Sequence, residues 1–186
     1  LQKVAFAMYE NDKLVLSRKE YIIPKLKVKE NYINILEFPI KYLFENTEMD
    51  IEFIHKTIYE YFVSEYIFKE IKQKIFEPNK DLACVLGLLL KHNHLSYEVL
   101  DFLKYKIDKE ESNGVYCKNN LCNAFNLMIR DGMTYYTERY FRNVIKCEMH
   151  IFSNMLEIIH LWEDDYYGLH IANGNYIKCN SGLILN

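Results

Sequence analysis

Glycine is scarce in this chain, with six in 186 residues, and nowhere does the pattern G-x-x-x-x-G-K-(S/T) occur. A phosphate-cradling loop needs such glycines, because backbone N–H groups close on a phosphate only where side chains leave room. ATP hydrolysis is therefore not expected of this chain by itself. No long hydrophobic run exists either: the longest, 82–90, is nine residues and contains Gly87. A bilayer span needs roughly 20, so no membrane segment is expected. Charge of one sign is also missing. The net charge is −3 and Lys and Arg are spread evenly, which leaves no electrostatic footprint for a nucleic-acid backbone. Five cysteines, 84, 117, 122, 147 and 179, form an odd count without C-x-x-C spacing. That pattern fits reduced thiols in a cytoplasmic protein. A Cys3His zinc site from Cys117, Cys122, Cys147 and His150 can be drawn, but its spacing is not that of a structural zinc module. No metal is assigned.

Catalytic patterns are absent in the same way. His150 and His160 lie with Glu148 and Glu157 on one expected helix, yet no nucleophile elbow, HExxH or paired-carboxylate motif accompanies them. A freestanding helical enzyme is thus the weaker alternative, and no catalytic residue is assigned.

What is present is core-forming material, half of the residues being hydrophobic and 16 being Tyr. Proline falls at only three positions, and each is a boundary. Leu1, Val4, Ala5 and Met8 recur at helical spacing; Ser17-x-x-Glu20 is a capping box opening a short helix that ends near Pro24. A third short helix fits 31–37, before Pro39. Segments 41–45 and 51–54 alternate across the turn-rich 46–50 and predict a β-hairpin. After Pro78 the composition turns helical: 81–91, 97–107 capped by Ser96, 121–130 after a turn at 111–114, and a run through Trp162 capped by Thr134 or Thr137. His92 and His94 flank Asn93 at an expected solvated helix end. The aromatic clusters 135–141 and 162–167 fit helix packing, and the carboxylates 163–165 fit a solvated loop. Residues 168–186 shift to Asn, small residues and alternating apolar positions, a strand-like tail. The chain opens on Leu and stops within an apolar run, so it reads as a fragment of a longer protein.

The most informative stretch is 51–67. Thr57 and Glu60 are spaced as a capping box, which predicts a helix starting at Ile58 after a strand ending at Ile54. His55 then sits in the bend between them, where a side chain can point away from both elements. Ile58, Phe62 and Tyr66 form one row of the helix, and Tyr59, Val63, Ile67, Ile71 and Ile75 the next. So wide a stripe must pack on two neighbours.

Phe53, His55, Thr57, Glu60, Phe62, Ser64 and Tyr66 resemble the motif that closes the winged-helix domain of NACHT-type STAND signalling NTPases, the class that includes NLR proteins and many bacterial defence proteins. The resemblance covers residues 1–76 and implies a mainly α fold. A winged-helix domain with a hairpin wing (1–76) would lead into a helical bundle or irregular superhelix (77–167). The tail from 168 resembles the start of a pentapeptide-repeat segment. The resemblance implies that His55 contacts the ADP phosphates in the closed full-length protein. It also implies that ATP or ADP with Mg belongs to an upstream NACHT domain, that a trigger ligand acts on the C-terminal region, and that activation produces a homo-oligomer. A non-catalytic helical interaction scaffold is the alternative. A DNA-binding winged helix is weaker still, since Lys25, Lys27 and Lys29 lie in a segment that makes a poor recognition helix.

Overall fold

The computed structural model describes residues 1–17, 40–45, 48–109, 114–133 and 143–162. The expected helices at 17–24 and 31–37, the clusters 135–141 and 163–165, the candidate caps Thr134 and Thr137 and the tail 168–186 lie wholly or largely outside them. The order is α1 (Gln2–Glu10), β1 (Val15–Ser17), β2 (Ile40–Glu45), β3 (Glu48–Phe53), α2 (Lys56–Lys74), α3 (Asn79–Leu90), α4 (Tyr97–Lys109), α5 (Gly114–Asp131) and α6 (Val144–Leu161). The chain is mainly helical with a short antiparallel hairpin, as expected.

The hairpin is longer than its alternation suggested. Pairing runs from Ile40 opposite Phe53 to Glu45 opposite Glu48, so Glu48 to Asp50 belong to β3 rather than to the turn. A third strand was not foreseen. β1 pairs antiparallel with the free edge of β3, Leu16 opposite Ile51, giving the order β1-β3-β2. Ser17 thus lies in a strand, its hydroxyl buried with no hydrogen-bond partner among the described residues, and the helix it was expected to open lies outside them. The physical reason is that Leu16 and Ile51, at 0% and 1% exposure, share one buried face of the sheet.

Helix α2 organises the rest. Its row Val63, Ile67, Ile71 and Ile75 is fully buried, whereas Ile58, Tyr59, Phe62 and Tyr66 are half-buried. α1 packs on one flank, with Phe6 stacked on Tyr66 at 4.4 Å, and α4 on the other, with Phe102 edge-on to Tyr61 at 5.5 Å. The two neighbours demanded by the stripe are therefore α1 and α4. Glu65 links all three, accepting from Gln2 of α1 at 3.2 Å and pairing with Lys106 of α4. At the far end, Asn120 of α5 donates to the Ile75 carbonyl at 2.7 Å, satisfying an end carbonyl the helix leaves unpaired.

Helix α5 begins at Gly114, where a turn was expected, because Cys117 joins Leu121, Ala124, Phe125 and Met128 on one inward face. It ends as expected, with Gly132 following in the left-handed conformation, φ +91. α6 is capped by Asn143, whose Oδ1 accepts from Lys146 N at 2.9 Å. The buried side chains form one cluster from Val4 to Leu161, continuous across the boundary expected at 76/77. No helix among the described residues is long and apolar enough to cross a membrane.

The segment between α3 and α4 is a packed junction, not the solvated helix end expected around Asn93. Asn154 of α6, 1% exposed, donates to the carbonyls of Leu90 at 3.0 Å and Asn93 at 2.8 Å and accepts from Leu95 N at 3.0 Å. Asn93 in turn donates to the Tyr9 carbonyl at 2.7 Å, and the Tyr9 hydroxyl donates back to the Asn93 carbonyl. Burial raises the Tyr9 phenol above the ordinary tyrosine range, so it stays a donor.

Two substitutions separate the rows of α2. Ile67→Ala should cost about 2–5 kcal/mol, the usual loss for a fully buried aliphatic truncation. Phe62→Ala, at a half-buried position, should cost less. Urea unfolding of the two variants checks the order.

Candidate functional site at the strand-to-helix bend

Strand β3 ends at Phe53, and its ring anchors the bend by packing 5.9 Å from Phe62 and 6.1 Å from Tyr59. The core therefore holds Phe53 while the next residues turn outward. His55 is extended, φ −134 and ψ 139, and exposed. Its carbonyl accepts from Ile58 N at 3.1 Å and Tyr59 N at 3.3 Å, and its ring makes no capping bond. The outward placement expected of His55 is what the backbone produces.

The cap itself is different from the one expected. α2 begins at Lys56, His55 occupies the cap position, and Thr57 is an exposed residue of the first turn. Glu60 does not reach back to form a capping box. It is 3% exposed and accepts from the Ser96 hydroxyl at 3.0 Å, while Lys56 Nζ lies 3.1 Å from the same oxygen. A buried carboxylate is costly unless charge-assisted partners satisfy it, and a hydroxyl from α4 with an ammonium one turn back does this. Hydrogen bonding to Glu60, then its charge and that of Glu98, hold the Lys56 ammonium above the ordinary lysine value.

Ser96 has two roles. It caps α4 as expected, accepting from Val99 N at 3.3 Å, and its hydroxyl donates to the Glu60 carboxylate. The bend that carries His55 is thereby tied to the first turn of α4. Tyr59, behind the bend, has its phenol pushed up to about 12, by burial first and then by Glu60 and Asp12. It is not a base at neutral pH.

The other candidates do not gather. Cys84 and Cys147 are free thiols, and among the described residues no three His, Cys, Asp or Glu side chains meet as a metal site. The zinc arrangement drawn from Cys117, Cys122, Cys147 and His150 is not formed, while Cys179 lies outside the described residues. Instead, His150 packs against His94, ring centroids 4.5 Å apart at 67°. Burial raises the Glu157 carboxyl above its ordinary value, with His160 acting against it. Ser96 was legible only as a cap; its link to Glu60 and the bonds of Asn93 and Asn154 were not singled out by spacing, because those partners are 36 to 84 residues away. No family model, curated protein or solved structure matches the chain.

Removing the Glu60 carboxylate should therefore act through α4 rather than through a cap. Glu60→Ala should cost about 1–3 kcal/mol and Glu60→Gln less, since the amide oxygen still accepts from Ser96. Thr57→Ala should stay within about 0.5 kcal/mol. Chemical denaturation of the three variants distinguishes this arrangement from a capping box, in which Thr57→Ala would carry the larger loss.

Proposed function

We propose that this chain is the regulatory winged-helix and helical part of a NACHT-type STAND NTPase of the kind found in bacterial defence, acting in the cytoplasm. In this reading it couples the nucleotide state of an upstream domain to ligand sensing and oligomerisation. One observation carries the proposal: His55 stands exposed at the cap of α2, its ring making no capping bond, while Phe53 behind it is locked into the core. A ring held this way is positioned to reach a partner domain. The opening helix, the hairpin and the long aromatic helix occur in the order that the resemblance implies.

The mechanism is a population shift. In the closed state His55 donates to a phosphate of ADP held, with Mg, by the upstream domain. A trigger acting on the C-terminal region favours the open state, which assembles. α2 is the element able to pass on the change, since both α1 and α4 pack along it. Catalysis of ATP hydrolysis belongs to the upstream domain, and this chain supplies the latch.

The test is His55→Ala in the full-length protein. A lost hydrogen bond to a charged group is worth about 1.5–3 kcal/mol, so the closed-to-open ratio should fall on the order of tenfold or more. ADP should dissociate faster and basal assembly should rise, with the fold intact by circular dichroism. Unchanged nucleotide retention and unchanged assembly in a folded variant would overturn the proposal.

A second reading, a helical interaction scaffold without nucleotide coupling, is favoured by one feature. Val144, Ile145 and Met149, at 47%, 72% and 62% exposure, are apolar side chains facing outward at the start of α6. Under that reading Ile145→Glu abolishes partner capture while His55→Ala is silent.

A further inference from the structure

The turn between α3 and α4 holds α1 and α6 together, and its contact with α6 includes two imidazoles placed edge to face. His94 from the turn and His150 from α6 have ring centroids 4.5 Å apart at 67°. His150 is 5% exposed, and its Nδ1 is buried with no hydrogen-bond partner among the described residues. His94 stands at the exposed edge of the pair. We infer that this turn is an acid-sensitive clasp, in which protonation of His94 against His150 loosens the grip of the turn on α6 and, through Asn93, on α1.

The charges around the turn make a proton at His94 unwelcome. The groups acting on it are His150 and Lys146, both on α6, and no carboxylate is among them. Three acids of the neighbouring elements act on other groups. Glu10 of α1 lies 3.4 Å from Nε2 of His92, Glu60 of α2 binds Ser96 and Lys56, and Glu148 of α6 acts on Cys147, beside Lys91 and Lys146. Tyr9 of α1 is a neutral donor to Asn93. Burial first, then His150 and Lys146, lower His94 below its ordinary value of 6.5. The sign follows: the folded state binds the proton less well than the unfolded chain. The stabilising contribution is present above pH 6.5 and is lost as pH falls through the lowered folded-state value.

The consequence is local before it is global. Two residues from Asn93 and next to His94, the Leu95 amide donates to Asn154 Oδ1 at 3.0 Å, so its hydrogen exchange reports whether the clasp is shut. The nucleotide latch at His55 lies at the opposite end of the Glu60–Ser96 link, so a His55 variant serves as the control for this turn.

The experiment measures the Leu95 protection factor, corrected for intrinsic exchange, at about pH 7.5 and about pH 5.5, values that bracket histidine titration. It uses the wild-type chain, His94→Gln, His94→Lys and, as a control, His55→Gln. Wild type and the His55 variant should lose protection by roughly threefold or more on acidification. His94→Gln, neutral throughout, should keep most of it. His94→Lys, a fixed cation at the same exposed position, should be as weakly protected at the higher pH as wild type is at the lower. The proposal is overturned if His94→Gln retains the full pH dependence, or if His94→Lys is as protected at the higher pH as wild type.

Discussion

Burial of α2 on two sides is the constraint from which the remaining arrangement follows. A helix of 19 residues extends about 28 Å at 1.5 Å per residue, enough to run past several neighbours. Val63, Ile67, Ile71 and Ile75 are removed from water along its inner line, and that surface can be covered only by helices on both flanks. α1 supplies one and α4 the other. Each polar group drawn inward with the apolar rows then needs a partner. Glu60 takes Ser96 and Lys56, and Ser64 donates to the Tyr61 carbonyl at 2.7 Å within its own helix.

The same accounting explains why the α3–α4 turn is rigidly specified. Three buried or partly buried backbone groups, the carbonyls of Leu90 and Asn93 and the N–H of Leu95, turn inward there. The amide of Asn154 matches all three with its two N–H groups and one oxygen. An apolar residue of similar size would fill the space and leave the turn unsatisfied. Tyr9 and Asn93 extend the network to α1, so the first and last described helices meet through one turn. The proposed latch and the proposed clasp occupy different parts of this framework. His55 lies where the framework faces outward, and His94 with His150 where it closes on itself.

Much of this was legible in the sequence, and the reason is local periodicity. The alternation in 41–54 required a hairpin, the i, i+4 rows from Ile58 required a helix with two neighbours, and Ser96 was recognisable as a cap. His55 could be placed outside the core because it falls between a strand pattern and a helix pattern. Where local signals misled, a tertiary partner won. The Thr57-x-x-Glu60 spacing suited a capping box, but a carboxylate with 3% exposure binds the partners that burial brings to it.

Sequence by itself therefore determined the mainly helical class, the hairpin, the two-sided helix and the outward histidine, since each depends on residues within one or two turns of one another. Tertiary structure alone decided that β1 joins the sheet, that Glu60 pairs with the capping residue of α4, that Asn154 fills the α3–α4 turn, and that His94 meets His150. Each of these joins groups at least 33 positions apart. Hydrogen bonds and ring contacts at that separation leave no period in the chain, because their geometry is fixed only once the apolar faces have packed.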